Sequence, residues 1–537
     1  MASSVNENSG SKGSGQGALL GIVMLGLFLA ILNQTLLNVA LPHLINEFGV
    51  TASSAQWLLT GYMLVNGALI PLSAFLIERF GVRKLFLFAM FVFTLGSLIC
   101  GIATTFPVML AGRLVQAVGG GVLAPLVMAI IVQIFPPEMR GKGMGIFGLA
   151  MMFAPAVGPT LSGWIVENYD WHLLFEGMVP LGVIVFVFAY FKLRDIQEGK
   201  KIKVDVFGAT TSLLGMGFLL YGFSEAGQDG WTDPIVLSTM IIGVILLAMF
   251  VIQQLRSPHP MLDMRVFKFN IFTLSSVINI ALTISMYAGM YLVPIYLQNI
   301  RGYTPLDSGL LLLPGAIVML IMSPISGILF DKIGPRPLGI VGMIITVITT
   351  YQFTQLTLTT SYVHLLIVYM CRMFGMSLLM MPIMTAGLNQ LPSRLNNHGS
   401  SMSNTLRQVS GSIGISLVTT IFTNRTTFHL GALTENMNTS NTGFMQSFHE
   451  LTVKIASAMH LPMEQAQQTA VKQVYANASE HATVMGINDA FFWATGIAFI
   501  GLILSFFLRD VRKDSQPKEA IEPVQEETKM LPAPKTS

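Results

Sequence analysis

Three arginines, Arg113, Arg372 and Arg407, lie inside long apolar runs of this chain. A charge at the bilayer centre costs ~2.5–3.5 kcal/mol on insertion scales, so an ionisable group held there is by default a binding or coupling group. Arg113 has Gln116 three residues on, which puts the two side chains on one helix face, whereas Arg372 has Gly375 at the matching place. Arg407 stands close to the end of its run, near enough to snorkel toward an interface. Acids are scarcer. Glu176 follows Trp171 and Phe175 at the edge of an apolar run, where a partly desolvated carboxylate suits proton exchange. Asp307 opens another run, where the helix dipole favours an acid. These groups can bind ions and polar solutes or pass protons. Bond-making chemistry lacks its constellations: there is no H-E-x-x-H, no G-x-S-x-G and no paired carboxylates within a run. Gly143-Met144-Gly145-Ile146-Phe147-Gly148 spells G-x-G-x-x-G, but no strand precedes it and it opens an apolar helix, so close helix packing is the better reading. No nucleotide-binding G-x-x-x-x-G-K-[ST] occurs. Cys100 and Cys371 both sit in apolar runs, so neither a disulfide framework nor a metal site is expected, and no cofactor.

The elements that must hold these residues follow from composition. Of 537 residues, 53% are hydrophobic and only 11% charged, against roughly 25% charged in a soluble domain. A mean hydropathy of +0.65 over this length exceeds what one buried core can absorb, because soluble cores stop growing near ~250–300 residues. A soluble enzyme and a disordered scaffold are excluded, and a net charge of +3 gives no field for nucleic acid. A helix needs about 20 apolar residues to cross a bilayer. That ruler places fourteen spans near 18–40, 56–77, 85–103, 107–131, 142–166, 171–192, 205–225, 234–255, 271–297, 307–330, 338–357, 362–388, 402–424 and 489–509. Runs this long in lipid must be helical, and the short alternating strands of a membrane barrel are absent. The first run is too long for the apolar core of a cleaved signal, and the Ser/Gly-rich stretch before it holds one lysine. With the N-terminus inside, sixteen Lys and Arg fall in the short inner loops and only Arg301 in the short outer ones, which places both termini in the cytoplasm.

Two of the inner turns repeat. Pro71-Leu72-Ser73-Ala74-Phe75-Leu76-Ile77-Glu78-Arg79-Phe80-Gly81-Val82-Arg83 aligns with Pro324-Ile325-Ser326-Gly327-Ile328-Leu329-Phe330-Asp331-Lys332-Ile333-Gly334-Pro335-Arg336, every pair 253 residues apart. Parallel repeats of this kind build transporters whose two halves move about a site at the membrane midplane. Glu78 and Asp331 can accept bonds from a neighbouring helix and hold an inner gate shut. Gly81 and Gly334 permit the tight reversal.

At these residues the chain resembles the major facilitator superfamily, whose loop signature reads G-x-L-x-D-x-x-G-R-[KR]. The second copy fits through Gly327, Leu329, Asp331, Gly334 and Arg336; the first departs at Ala74, Glu78 and Val82. Arg113-Leu114-Val115-Gln116 with the glycines after it is similar to the R-x-x-Q-G run. Gly158-Pro159-Thr160-Leu161-Ser162-Gly163 looks like the antiporter motif G-P-x-x-G-G. Trp171-His172-Leu173-Leu174-Phe175 and Arg407-Gln408 with Gly411 and Gly414 are likewise similar to family runs. With fourteen spans, these motifs resemble the drug:proton antiporter-2 branch, the EmrB/QacA-type exporters.

The resemblance implies an all-α, polytopic membrane protein with the major facilitator fold: two six-helix bundles plus two linker helices. The expected organisation is a cytoplasmic N-terminal tail at 1–17, an N-terminal bundle at 18–195, linker helices at 196–262 and a C-terminal bundle at 263–510. That second bundle carries a long extracytoplasmic loop at about 425–488, with helical character over Met463–Ala482, and a disordered cytoplasmic tail follows at 511–537. It further implies a hinge at Gly158, Pro159 and Gly163, and gate loops at Glu78, Gly81, Arg83, Asp331, Gly334 and Arg336. One departure bears on coupling. Where the branch reads L-D-x-T-V-V-N-V-A-L-P, this chain reads Leu32-Asn33-Gln34-Thr35-Leu36-Leu37-Asn38-Val39-Ala40-Leu41-Pro42. Asn33 cannot titrate, so Asn33 and Asn38 are left as substrate contacts, and Glu176, then Asp307, become the carboxylates of choice. The implied activity is not enzymatic: proton-coupled export of drugs or other lipophilic or amphiphilic compounds across the cell membrane by alternating access. The alternatives are a dedicated exporter of a metabolite, lipid or siderophore, and a membrane sensor that does not transport. Small amphiphilic substrates, protons and the lipid bilayer are the expected partners; the 425–488 segment reads first as a tolerated insertion, with an outer lid or a dock for a membrane-fusion adaptor as the alternatives.

Overall fold

The computed structural model describes residues 9–50, 52–193, 205–226, 230–258, 260–435, 437 and 442–509. The expected 511–537 tail and the first residues of the linker segment lie outside these. Among the described residues there is no strand, and the chain is a succession of long helices. In chain order they are α1 (Ser9–Phe48), α2 (Trp57–Phe80), α3 (Val82–Gly101), α4 (Phe106–Ile134), α5 (Arg140–Asn168), α6 (Leu173–Lys192), α7 (Val206–Ala226) and α8 (Pro234–Arg256). There follow α9 (Asn270–Ile300), α10 (Pro305–Ile333), α11 (Pro335–Gln355), α12 (Tyr362–Asn389), α13 (Asn396–Glu435), α14 (Thr442–Met459) and α15 (Met463–Ser505).

Thirteen of these are long and apolar enough to cross a membrane among the described residues. Two fall short: α14, in the 425–488 segment, and α13, which carries the thirteenth expected span, 402–424. Its first half is rich in Ser, Asn and Gly, yet Asn396, Asn397, Ser400, Ser401 and Asn404 are all buried. A helix screened from lipid by its neighbours does not need an apolar surface, so a hydropathy criterion passes over it. The opposite case is α8, most of whose surface, including Ile241, Val244 and Ile245, is left uncovered by protein and faces outward as a lipid-contacting helix would.

The repeat read in the sequence is a repeat of backbone. Gly81 ends α2 at φ 78° and ψ 164°, and Gly334 ends α10 at φ 88° and ψ 177°. Each donates its N–H to the carbonyl four residues back, Ile77 or Phe330, at 3.0 Å. A positive φ is closed to most side chains, which accounts for glycine at both reversals. The face carrying these turns is here called the inner face.

The halves meet along two helix pairs. On one side α5 packs on α10 through small residues: a side chain at Gly145 would meet the Ser323 carbonyl at 2.7 Å, and Ser323 Oγ donates to the Gly145 carbonyl at 2.8 Å. The G-x-G-x-x-G run is thus a packing surface. On the other side α2 meets α13, where Ser73 and Ser401 share a hydrogen bond of 2.6 Å. The helices α7 and α8 pack on each other through Gly215 and Gly243, pinned at one end by Gln253 and Gln254 donating to Asp205. Met216 and Leu220 of α7 lie against Ala68 of α2 and Val409 of α13, so this pair covers the seam between the halves.

The helix α1 begins at Ser9, within the stretch expected as the N-terminal tail. The described residues of the 425–488 segment are largely helical: α13 runs out to Glu435, α14 spans Thr442–Met459, and α15 continues unbroken from Met463 to Ser505. The buried residues Ala466 and Ala470 of α15 pack with Ile455 of α14, so the extension has an apolar seam of its own. Polarity here marks exposure to water, not loss of helix.

Candidate functional site

Arg113, on α4, is completely buried. Its Nη1 donates to Asn33 Oδ1 of α1 at 2.6 Å and to Gln116 Oε1 at 2.7 Å, and its Nε donates to the Leu58 carbonyl of α2 at 3.3 Å. Gln116 passes the chain on, donating to Ser97 Oγ of α3 at 2.7 Å. The guanidinium lies over the Tyr62 ring, 4.4 Å from its centroid, with Phe175 at 5.9 Å. The cation is therefore held by neutral dipoles and ring faces, with no carboxylate in contact among the described residues. One N–H group, Nη2, has no partner, and neither do Asn33 Nδ2 and Tyr62 Oη. Asn33 thus stands against the arginine as an acceptor.

The second half repeats this arrangement. Arg372 on α12 is also fully buried; its Nη2 donates to the Ser285 carbonyl of α9 and its Nε to Thr350 Oγ1 of α11 at 3.3 Å, while Nη1 is unpaired. Ser285 lies 252 residues after Asn33, Thr350 lies 253 after Ser97, and Arg372 lies 259 after Arg113. Each half thus carries on its fourth helix one buried guanidinium that donates to the first helix of its bundle; the third helix is bonded directly in the second half, through Thr350, and by way of Gln116 to Ser97 in the first. Where Gln116 helps in the first copy, Gly375 leaves no counterpart in the second. Gly289, whose added Cβ would collide with the Arg372 guanidinium, makes room for it instead.

The two inner acids reach across the seam in matching fashion. Asp331 at the end of α10 accepts from the Gly141 and Lys142 N–H groups of α5, each at 3.1 Å. Glu78 at the end of α2 lies 3.3 Å from His398 Nε2 on α13. In both cases an acid at the end of one half's helix meets the first turn of the other half's helix, where the dipole favours negative charge. Arg140 Nη1 to Asn389 Oδ1 at 3.1 Å and Gln133 Nε2 to Asn397 Oδ1 at 2.9 Å join the same face. Of the remaining gate residues, Arg83 stays within its own half, donating to the Tyr190 carbonyl at 2.8 Å, and Arg336 is exposed.

The other sequence candidates separate. Glu176 is exposed at the start of α6, beside Gly101 of α3. Asp307 forms a capping box with Thr304, accepting from its hydroxyl at 2.8 Å and returning its own N–H at 3.1 Å, which accounts for an acid there. Gly158 and Gly163 are buried in α5, and a side chain at Gly158 would collide with Thr35 of α1. The side chains of Asn38 and Pro159 lie outside the described residues. Arg407 donates to Asn404 Oδ1 at 3.1 Å and lines a cleft in the second half. Sequence reasoning missed Ser97, Tyr62, Ser285, Thr350 and His398, and also a cluster on the outer part of α13 and α15, where Asp489 accepts from Arg425 at 2.5 Å and lies 2.8 Å from His429. Outside the membrane, Asp170 is held below its ordinary carboxylate range chiefly by the His172 backbone N–H, at 2.9 Å, and then by the His172 ring.

A family model described as Major Facilitator Superfamily matches residues 23–415. The Bacillus subtilis protein YhcA, named an uncharacterized MFS-type transporter, is 63% identical over 518 residues, which are 96% of this chain and 97% of that protein. The lincomycin resistance protein LmrB of the same organism is 36% identical over 498 residues, 92% of this chain and 96% of LmrB. The crystal structure of the human organic anion transporter MFSD10 (TETRAN) aligns with a TM-score of 0.61, covering 91% of this chain and 99% of that one; at 12% identity it speaks to the fold alone.

Proposed function

The chain belongs to the major facilitator superfamily, and on that premise we propose that it is a secondary active exporter in the cell membrane, exchanging protons for drugs or other lipophilic or amphiphilic compounds by alternating access. It is a multi-pass membrane transporter, not an enzyme. The observation that carries the reading is the pair of matching closures at the inner face, Asp331 on the first turn of α5 and Glu78 on His398 of α13. Two acids that reach across one seam, each from the end of a repeated helix onto the first turn of a helix in the other half, are what a rocking pair of bundles needs to shut one side while the other opens. In this reading α1–α6 and α9–α15 are the moving bundles, α7 and α8 bridge them, and both termini are cytoplasmic.

The name of LmrB supports a lincosamide-class drug among the substrates. Arg113 and Arg372 with their neutral partners serve as polar anchors within each bundle, where Asn33 takes substrate or guanidinium contacts in place of proton exchange. Proton exchange then falls to carboxylates near the span ends, with Glu176 at the outer face as the first choice.

The test is export from an efflux-deficient host expressing the chain. Accumulation of lincomycin and ethidium is followed with and without a protonophore, with Glu176→Gln alongside. Lower accumulation of at least one compound, restored by the protonophore and by the substitution, is the expected result. Accumulation unchanged across a broad panel opposes the exporter reading, and full activity of Glu176→Gln retires that residue alone.

A further inference from the structure

The charge inside the spans is one-sided. Arg113, Arg372 and Arg407 each bury an N–H group that has no partner. Among the described residues, the acids of the spanning helices lie within about a turn of a helix end, apart from Glu480, which is exposed on the polar first part of α15, and Asp489, farther along α15, which is already engaged by Arg425 and His429. Unpaired cations in an interior with no free carboxylate give it sites complementary to a negatively charged group.

Arg407 is the one of the three that borders open space. A cleft between α9, α12 and α13 is lined by Arg407, Ser275, Ser276 and Asn279 on its polar side and by Phe272 and Met384 on its apolar side. Its depth along α13, eleven residues beyond Asn396, is roughly 16 Å from the inner end of that helix. Two polar groups on this lining lack partners: Arg407 Nε and the hydroxyl of Ser275, a residue only 2% exposed. The guanidinium's bond to Asn404, a neutral amide, leaves its charge uncompensated. The cleft is small, with a cavity volume of about 10 Å³. That is room for about one small polar group, with apolar residues beside it.

We propose that this cleft is the head-group site for an amphiphilic monoanion, whose carboxylate is bound by Arg407 and Ser275 while its apolar body lies toward Phe272 and Met384. A carboxylate accepts from both unpaired donors, and its bond to a guanidinium is charge-assisted and gains strength in a site poor in water. Lipophilic cations find no partner there. Calling the ligand a substrate rests on the exporter reading; the site itself does not.

The test is equilibrium binding to the purified full-length protein in lipid nanodiscs, with fusidate and dodecanoate as anionic probes and ethidium as the cation. The wild type is expected to bind at least one anion at least tenfold more tightly than ethidium. Arg407→Gln is expected to weaken that anion at least tenfold, Arg407→Lys less than threefold, and Ser275→Ala two- to fivefold. Should Arg407→Gln fail to fold, judged by its elution and melting profile, the Ser275→Ala result and the anion-to-cation preference of the wild type decide. Ethidium bound as tightly as the anions, no binding of either anion, or anion binding indifferent to these substitutions overturns the proposal. Arg407-dependent binding without export in vesicles leaves the site standing and removes the transport reading instead.

Discussion

Replacing Asp331 with Asn perturbs the inner closure with little change of shape. The carboxylate accepts two N–H groups at 3.1 Å from the first turn of α5, a helix of 29 residues. A hydrogen bond to a charged group contributes ~1.5–3 kcal/mol, and an anion at a helix N-terminus another ~0.3–1 kcal/mol. The amide keeps one acceptor oxygen, turns a donor toward the second N–H and loses the charge. The closed state should therefore lose on the order of 1–2 kcal/mol, a factor of roughly 5–30 in the closed-to-open ratio at 1.4 kcal/mol per decade. Pulsed electron resonance between spin labels at the exposed inner positions Lys84 and Arg394 reads that ratio. It requires a background with Cys100 and Cys371 replaced, the second being exposed. The long-distance population should grow by that factor in Asp331→Asn. An unchanged distance distribution in a folded protein, or a shift to shorter distances, refutes the claim that this acid holds the inner face shut.

Three other outcomes follow from the same geometry. Glu78→Gln removes the charge facing His398 and should shift the same label pair in the same direction, with Glu78→Gln/Asp331→Asn opening the inner face further than either alone; opposite signs would contradict matching roles. Gly158→Val places carbon where Thr35 stands, so lincomycin export should fall at least tenfold while the protein still inserts, as judged by membrane-fraction yield; retained turnover would count against movement at this contact. Asn33→Asp sets a carboxylate where Asn33 Oδ1 now lies, 2.6 Å from Arg113 Nη1, compensating a buried cation. Its melting temperature in detergent should rise, by an amount equivalent to ~1–2 kcal/mol, and a fall would show that the neutral cradle already satisfies Arg113.

Hydropathy made the spans legible because lipid demands an apolar surface, and 402–424, the span that α13 carries, is weakly marked for the same reason in reverse. The buried serines and asparagines of α13 face other helices, so their polarity carries no information about crossing a membrane. The 425–488 segment was unreadable as structure because water accepts both helix and loop, and only the alanine spacing of Met463–Ala482 hinted at helix. At the site, Arg113 with Gln116 was legible as a pair three residues apart on one helix. The partners Ser97 and Tyr62 come from other helices, and no local spacing encodes them. The repeat reaches beyond its turns: an offset close to 253 carries Ser97 onto Thr350 and Asn33 to within a residue of Ser285. His398 had no signal, since it stands in a polar stretch and acquires meaning only from Glu78 across the seam.

The most direct test of proton-driven alternating access is transport by the purified protein in sealed liposomes carrying an imposed pH difference. With the inner face outward and the lumen acidic, lincomycin or fusidate should accumulate in the lumen, stop when the gradient is dissipated and slow in Asp331→Asn. Uptake that ignores the gradient, or liposomes that take up neither compound under any gradient, would contradict it.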